Sequence, residues 1–259
     1  MNLEIFQIDA FTDKVFAGNP AAVCPLTEWL ADDQMQKIAL ENNLSETAFC
    51  VPQGDGFGLR WFTPTHEVDL CGHATLATAY LLLTRLTPDK GEVHFDTRSG
   101  TLSVTRDGDF LTMDFPAKPP QKMDAPPPII DALGGSPREY WVQDEYLVVY
   151  ESEAEVRSLK PDMAGLMDIG ARGVIATAPG EECDFVSRYF TPARGIPEDP
   201  VTGSAHCILV PFWSERLGKA DLVARQVSAR GGQLFCRNRG DRVHISGRAA
   251  LYMVGEIFI

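Results

Sequence analysis

The chain has 259 residues, enough for two hydrophobic cores, and its 44% hydrophobic and 23% charged shares are those of an ordinary globular protein. A formal charge of −13 speaks against nucleic-acid partners, since neutralising phosphates requires clustered Lys and Arg. No apolar stretch approaches the roughly 20 residues of a membrane span, and the start Met1-Asn2-Leu3-Glu4-Ile5-Phe6 shows no basic signal-peptide segment. Six cysteines without a C-x-x-C pair read as reduced thiols, so the cytoplasm is the expected location.

Residues 31–43 carry Met35, Ile38 and Ala39 at helical spacing and predict an amphipathic helix. Leu59-Arg60-Trp61-Phe62 alternates as a strand does, and Pro64 ends it. Residues 73–83 are apolar nearly all round, the pattern of a buried helix. Strands follow at 92–97 and 101–105, and Asp107-Gly108 is a hairpin turn leading into a strand at 110–115. Residues 116–128 hold six prolines, too many for a helix or a central strand, and read as a linker. Beyond it come a strand at 185–190, a helix at 204–217, strands near 224–228 and 234–237, and a turn at Arg239-Gly240. The run at 251–259 reads as a strand without a counterpart before the linker, suited to return to the first half.

The order of elements repeats. Arg60-Trp61-Phe62-Thr63-Pro64 recurs as Arg188-Tyr189-Phe190-Thr191-Pro192, and Gly72-His73-Ala74 as Gly203-Ser204-Ala205. Arg98-Ser99-Gly100-Thr101-Leu102 is echoed by Arg230-Gly231-Gly232-Gln233-Leu234, and Asp107-Gly108-Asp109 by Arg239-Gly240-Asp241. Four matches in one order at a nearly constant offset indicate an internal duplication. The expected organisation is an α/β protein of two similar halves, 1–118 completed by 251–259, and 119–250.

Each half has a helix opening at a glycine, Gly72 or Gly203. The N–H groups at a helix start and the helix dipole favour an anion. A carboxylate or developing enolate held between the halves fits such donors. At an offset of 128, Asn43-Leu44-Ser45-Glu46-Thr47-Ala48 matches Ala171-Arg172-Gly173-Val174-Ile175-Ala176, which sets Glu46 against Val174. A carboxylate unmatched in the other half reads as a general base.

Four segments carry a specific resemblance: Gly18-Asn19-Pro20-Ala21-Ala22-Val23, Ser45-Glu46-Thr47, Glu67-Val68-Asp69-Leu70-Cys71-Gly72-His73-Ala74-Thr75, and Glu198-Asp199-Pro200-Val201-Thr202-Gly203-Ser204-Ala205-His206. They resemble the signatures of the PhzF-like (phenazine-biosynthesis) isomerase family, in order and over essentially the whole chain. The resemblance implies the diaminopimelate-epimerase fold: two α/β domains, each a curled mixed sheet around a central helix, with the site between them. It also implies a homodimer that needs no cofactor and moves a proton on a small, carboxylate-bearing substrate. By motif, Glu46 is the expected proton shuttle, with His73 and Asp199 as further catalytic residues. Asn19, Gly72, Gly203 and Ser204 are the expected substrate-binding residues. The substrate itself does not carry over.

Two alternatives stand beside this reading. A two-thiol epimerase of the same fold places a cysteine before each glycine; Cys71 precedes Gly72, but Thr202 precedes Gly203. A binding protein keeps the same fold without catalysis. A metal site is not expected, because His66, His73, His94, His206 and His244 show no H-x-x-x-H or H-E-x-x-H spacing.

Overall fold

The computed structural model describes residues 2–124, 126–170 and 172–259. Ala125, within the proline-rich stretch, and Ala171, where the offset match to Asn43 begins, lie outside the described residues. In chain order the elements are β1 (Asn2–Ala10), β2 (Asn19–Pro25), α1 (Asp32–Asn42), β3 (Glu46–Gln53), β4 (Gly56–Phe62), β5 (Glu67–Val68), α2 (Gly72–Leu81), β6 (Glu92–Thr97), β7 (Gly100–Asp107) and β8 (Phe110–Pro116). There follow β9 (Gln121–Met123), α3 (Pro127–Leu133), β10 (Glu139–Val142), β11 (Tyr146–Val149), α4 (Glu153–Ser158), α5 (Met163–Asp168), β12 (Val174–Pro179), β13 (Phe185–Thr191) and β14 (Ile196–Asp199). The chain closes with α6 (Gly203–Leu217), β15 (Asp221–Gln226), β16 (Gly232–Asn238), β17 (Arg242–Gly247) and β18 (Ala249–Phe258). Two compact units emerge: residues 2–114 with Ser246–Ile259, and Phe115–Ile245.

In the first unit β18, β1, β2, β3, β4, β6 and β7 pair in that order, parallel at β2–β3 and β4–β6 and antiparallel elsewhere. In the second, β9, β10, β11, β12, β13, β15 and β16 repeat the order, parallel at β11–β12 and β13–β15. The short β5 and β14 fold back on β4 and β13. So β9 is the positional counterpart of β18.

Side chains on a strand alternate between faces, and β3 uses both. Phe49 and Val51 join Met35, Ile38 and Ala39 of α1 in one core, with Phe62, Ala22 and Cys24. Glu46, Ala48 and Cys50 therefore take the opposite face, where α2 packs on β1, β2 and β3. Eight of the ten α2 residues are buried, His73 among them, which explains an apolar pattern with no polar stripe. The second unit has the same layering. α3, α4 and α5 supply Leu133, Val156 and Leu166 to a core with Val174, Ala176 and Phe190, while α6 contacts β15 and β16.

Three local expectations need correction. The proline-rich stretch contains β9, formed by its proline-free tripeptide, and the start of α3 at Pro127. Proline is tolerated at a first helical position because the N–H there has no intrahelical partner. The buried first-half helix opens at Gly72, as its glycine implies, but its α-helical part stops at Leu81, short of residue 83, and gives way to a π-helical turn, Leu82–Leu86. The first amphipathic helix is Asp32–Asn42, stopped by Asn43 in the left-handed conformation at φ 51°.

Candidate active site

Glu46 is the first residue of β3, and the alternation just described turns it toward α2. His73 is the second residue of α2 and is buried. Its Nε2 lies 3.2 Å from Glu46 Oε2, a contact short of a well-aligned hydrogen bond. On the other side of the ring, Asn19 Nδ2 is 3.2 Å from His73 Nδ1. An amide N–H can only donate, so Nδ1 accepts and the ring proton sits on Nε2, toward Glu46. Burial pushes His73 down to about 3, so the imidazole is neutral and meets Glu46 as a hydrogen-bond donor, not as a cation.

Asn19 opens β2, opposite Ala10 of β1. The residue before it must be glycine: Gly18 has φ +65°, and a Cβ there would lie 2.2 Å from the Ala10 carbonyl oxygen. The Gly18-Asn19 pair thus places a fully buried amide beside the ring.

At the start of α2, Cys71 is extended and Thr75 bonds back to its carbonyl at 2.6 Å. The first N–H groups, those of Gly72 and His73 included, have no partner within the helix. Cys71 Sγ is 3.5 Å from His73 Nδ1. Glu46, Cys71 and His73 hold ligand-type atoms within 4.8 Å of one another, the one such group among the described residues. Glu46 and Cys71 approach opposite ring nitrogens, so the trio flanks the imidazole on two sides and does not form a three-ligand face.

The start of α6 has its own network. Thr202 Oγ1 donates to Asp199 Oδ2 at 2.5 Å. Gln226, 1% exposed, donates to the Asp199 carbonyl at 2.7 Å and contacts Thr202 Oγ1 at 3.1 Å, and its Oε1 accepts from Thr202 N at 2.8 Å. His206 Nδ1 donates to the Thr202 carbonyl at 2.8 Å, as Thr75 does to Cys71. Burial holds this imidazole near about 4 and neutral. Ser204 is exposed at the second position of the helix. Asn19, Glu46 and His73 thus form one cluster in the first unit, and Asp199 forms another with Thr202 and Gln226 in the second. Gln226 carried no sequence signal, because a lone glutamine on an alternating strand looks like any solvated position.

The strand registers correct one equivalence. Phe62 faces Thr47 and Trp61 faces Ala48, while Phe190 faces Val174 and Tyr189 faces Ile175. With Trp61-Phe62 and Tyr189-Phe190 as the common reference, Thr47 matches Val174, and Glu46 matches Gly173. The same reference aligns two bidentate ion pairs, Arg60 with Glu67 and Arg188 with Glu198, all four bonds at 2.7–2.8 Å. It also sets Val68 against Asp199, opposite Trp61 and Tyr189. The scaffold and its Arg–Glu pairs are duplicated; Glu46 and Asp199 are not.

A mixed sheet wrapped on a buried helix, twice over, with a carboxylate and a neutral imidazole at one helix start, defines an acid–base enzyme scaffold. The profile of the phenazine biosynthesis-like proteins matches residues 8–255. A protein of Pseudomonas aeruginosa named as an isomerase is 54% identical over 259 residues, covering 100% of both chains. The crystal structure of a PhzF-family phenazine biosynthesis protein of Enterococcus faecalis is 45% identical, with a TM-score of 0.98 over 100% of both chains. A hydroxyproline epimerase of Agrobacterium vitis shares the fold alone, at 11% identity and a TM-score of 0.61 over 99% of this chain and 92% of its own. The chain belongs to the PhzF-like (phenazine biosynthesis-like) family of isomerases. Its fold is the epimerase-type α/β architecture of those neighbours.

Proposed function

We propose that the protein isomerises a small carboxylate-bearing metabolite by proton transfer, with Glu46 as the proton carrier. The Glu46–His73–Asn19 array carries this reading. Asn19 sets the ring tautomer, and His73 Nε2–H supports whichever oxygen of Glu46 or of an enolate gains charge. The N–H groups at Gly72 and at Gly203 suit a substrate carboxylate. Asp199, tied to Thr202, and Ser204 complete the polar residues at the second helix start. That one substrate draws on both halves rests on the duplication and on the family resemblance. The chemistry is assigned to side chains alone, without a cofactor. Six free thiols support the reducing cytoplasm as location. Exposed Tyr252, Met253, Val254 and Phe258 on β18 support a homodimer.

Incubation in D₂O with a pool of hydroxy and amino acids tests the reading. Wild type should incorporate deuterium into at least one of them. Glu46→Gln should abolish this uptake while keeping the fold by circular dichroism; uptake near wild-type level in that variant would remove Glu46 from the chemistry.

A further inference from the structure

Trp61 lies opposite Ala48 of β3 and so shares the face of the sheet that carries Glu46. Glu46, two residues before Ala48, is its diagonal neighbour there. Diagonal neighbours lie about 7–8 Å apart, within reach of an aromatic ring and a long side chain. Yet the indole is 1% exposed, and its Nε1–H is buried without a hydrogen-bond partner among the described residues. Buried donors are nearly always satisfied, and one that is not calls for a partner outside the resting fold.

The second unit shows what the first has changed. Tyr189 stands at the place of Trp61 and leans along the same diagonal: a Cβ on Gly173, the counterpart of Glu46, would lie 2.3 Å from its hydroxyl. That hydroxyl donates to Glu145 Oε1 over 2.8 Å, and Asp199 lies across from Tyr189 on β14. Glu145 takes the place of Ala21, because Tyr146 pairs with Val174 as Ala22 pairs with Thr47. Asp199 takes the place of Val68. Where the second unit flanks its ring with two carboxylates, the first has Ala21 and Val68, neither of which offers a side-chain acceptor. The exchange of tyrosine for tryptophan follows from Glu46 itself. A hydroxyl at the ring tip would collide with a side chain at that strand position, whereas an indole carries its donor on the side of the ring. The first unit has kept a donor and lost both fixed acceptors.

We infer that Trp61 is a positioning residue whose indole N–H receives the Glu46 carboxylate at the far end of its proton-carrying stroke. This rests on the proton-transfer reading above and involves the first unit alone. His73 Nε2 meets Glu46 at the near end, 3.2 Å from Oε2. There the carboxylate takes a proton from a substrate carbon, and the C–H electron pair stays on the substrate. At a second substrate position the new O–H bond breaks and a substrate electron pair takes the proton. Glu46 keeps the O–H pair and is a carboxylate again. The anion formed on delivery needs a donor where it forms, and a hydrogen bond to an ionised acceptor is about twice as strong as a neutral one. Trp61 supplies that donor on the diagonal, so a single glutamate finds support at both ends of its movement.

Two substitutions in the full chain test this, in D₂O with a pool of the common L-amino acids with lactate, malate and tartrate. Trp61→Phe removes the N–H and keeps an aromatic ring. Replacement of Trp61 by benzothienylalanine puts sulfur in place of the N–H in a ring of nearly the same shape, and it carries the test where Trp61→Phe does not fold. For the acid that gains deuterium, each should lower net isomerisation about 10-fold, the worth of one hydrogen bond to a charged group. Deuterium wash-in to recovered substrate should stay within about twofold of wild type, because pick-up at His73 is untouched. Net isomerisation within about twofold of wild type in a folded variant overturns the inference. So does an equal fall of isomerisation and wash-in, which a packing defect at position 61 would give. Uptake that is absent in wild type, or that survives Glu46→Gln, is a different result: it sinks the proton-transfer reading, and this inference with it.

Discussion

Asn19→Asp isolates the tautomer argument with almost no change of shape. The variant replaces the amide donor at 3.2 Å from His73 Nδ1 with a carboxylate that can only accept when ionised. The gap between about 3 and the ordinary value near 6.5 corresponds to about 5 kcal/mol against charging the wild-type ring. A unit negative charge at 3.2 Å contributes about 5 kcal/mol in favour of the imidazolium at an effective dielectric of about 20. The added charge opposes the effect of burial, so in N19D His73 should titrate above its wild-type value of about 3. Its proton would move to Nδ1 or the ring would carry both, and Glu46 would face a lone pair or a cation instead of a neutral donor. Proton exchange should then fall by about 10²-fold or more. Long-range ¹H–¹⁵N NMR of the imidazole nitrogens across the acid and neutral range reads the tautomer directly, and D₂O uptake reads the function. A folded N19D in which the ring stays neutral with its proton on Nε2 would refute the reasoning.

Cys71→Ala should retain most deuterium uptake, because the corresponding cap is Thr202, whose hydroxyl is spent on Asp199; complete loss in a folded variant would favour thiol chemistry, which the 3.5 Å approach of Cys71 to His73 would support. Stability should fall with acid in a defined window. His73 and His206 titrate in the fold near about 3 and about 4, below an unfolded value near 6.5, so the unfolded chain binds more protons in between. Their contribution is complete above about 6.5 and is lost as pH falls toward the folded values. By pH 4 the loss amounts to about 3 kcal/mol for each ring, and urea melts of His206→Gln should show about half of the histidine-linked loss. An unchanged pH dependence in that variant would mean that His206 is not buried neutral.

Some of this was settled by local sequence. The glycines that open α2 and α6 announce themselves as the first residues of apolar runs, and helix burial is a property of a short window. The recurrence of Arg-aromatic-Phe-Thr-Pro likewise needs no fold to be seen, and the bidentate partners of Arg60 and Arg188 show that it marks equivalent strand positions. Both the family motifs and the expectation of a carboxylate at Glu46 belong to this local layer. The tertiary structure alone decided which groups meet. His73 and Glu46 are 27 residues apart in the chain, and Glu145 and Tyr189 are 44 apart; no periodicity links either pair. Counting residues at an offset of 128 set Glu46 against Val174, whereas the ladder sets it against Gly173. A strand has a period of two, so that slip of one residue moves a side chain to the opposite face of the sheet. Which face holds the chemistry is fixed by non-local hydrogen bonds between strands, and it is there that Gly173, Tyr189 and Glu145 acquire a meaning their own neighbourhoods in sequence do not carry.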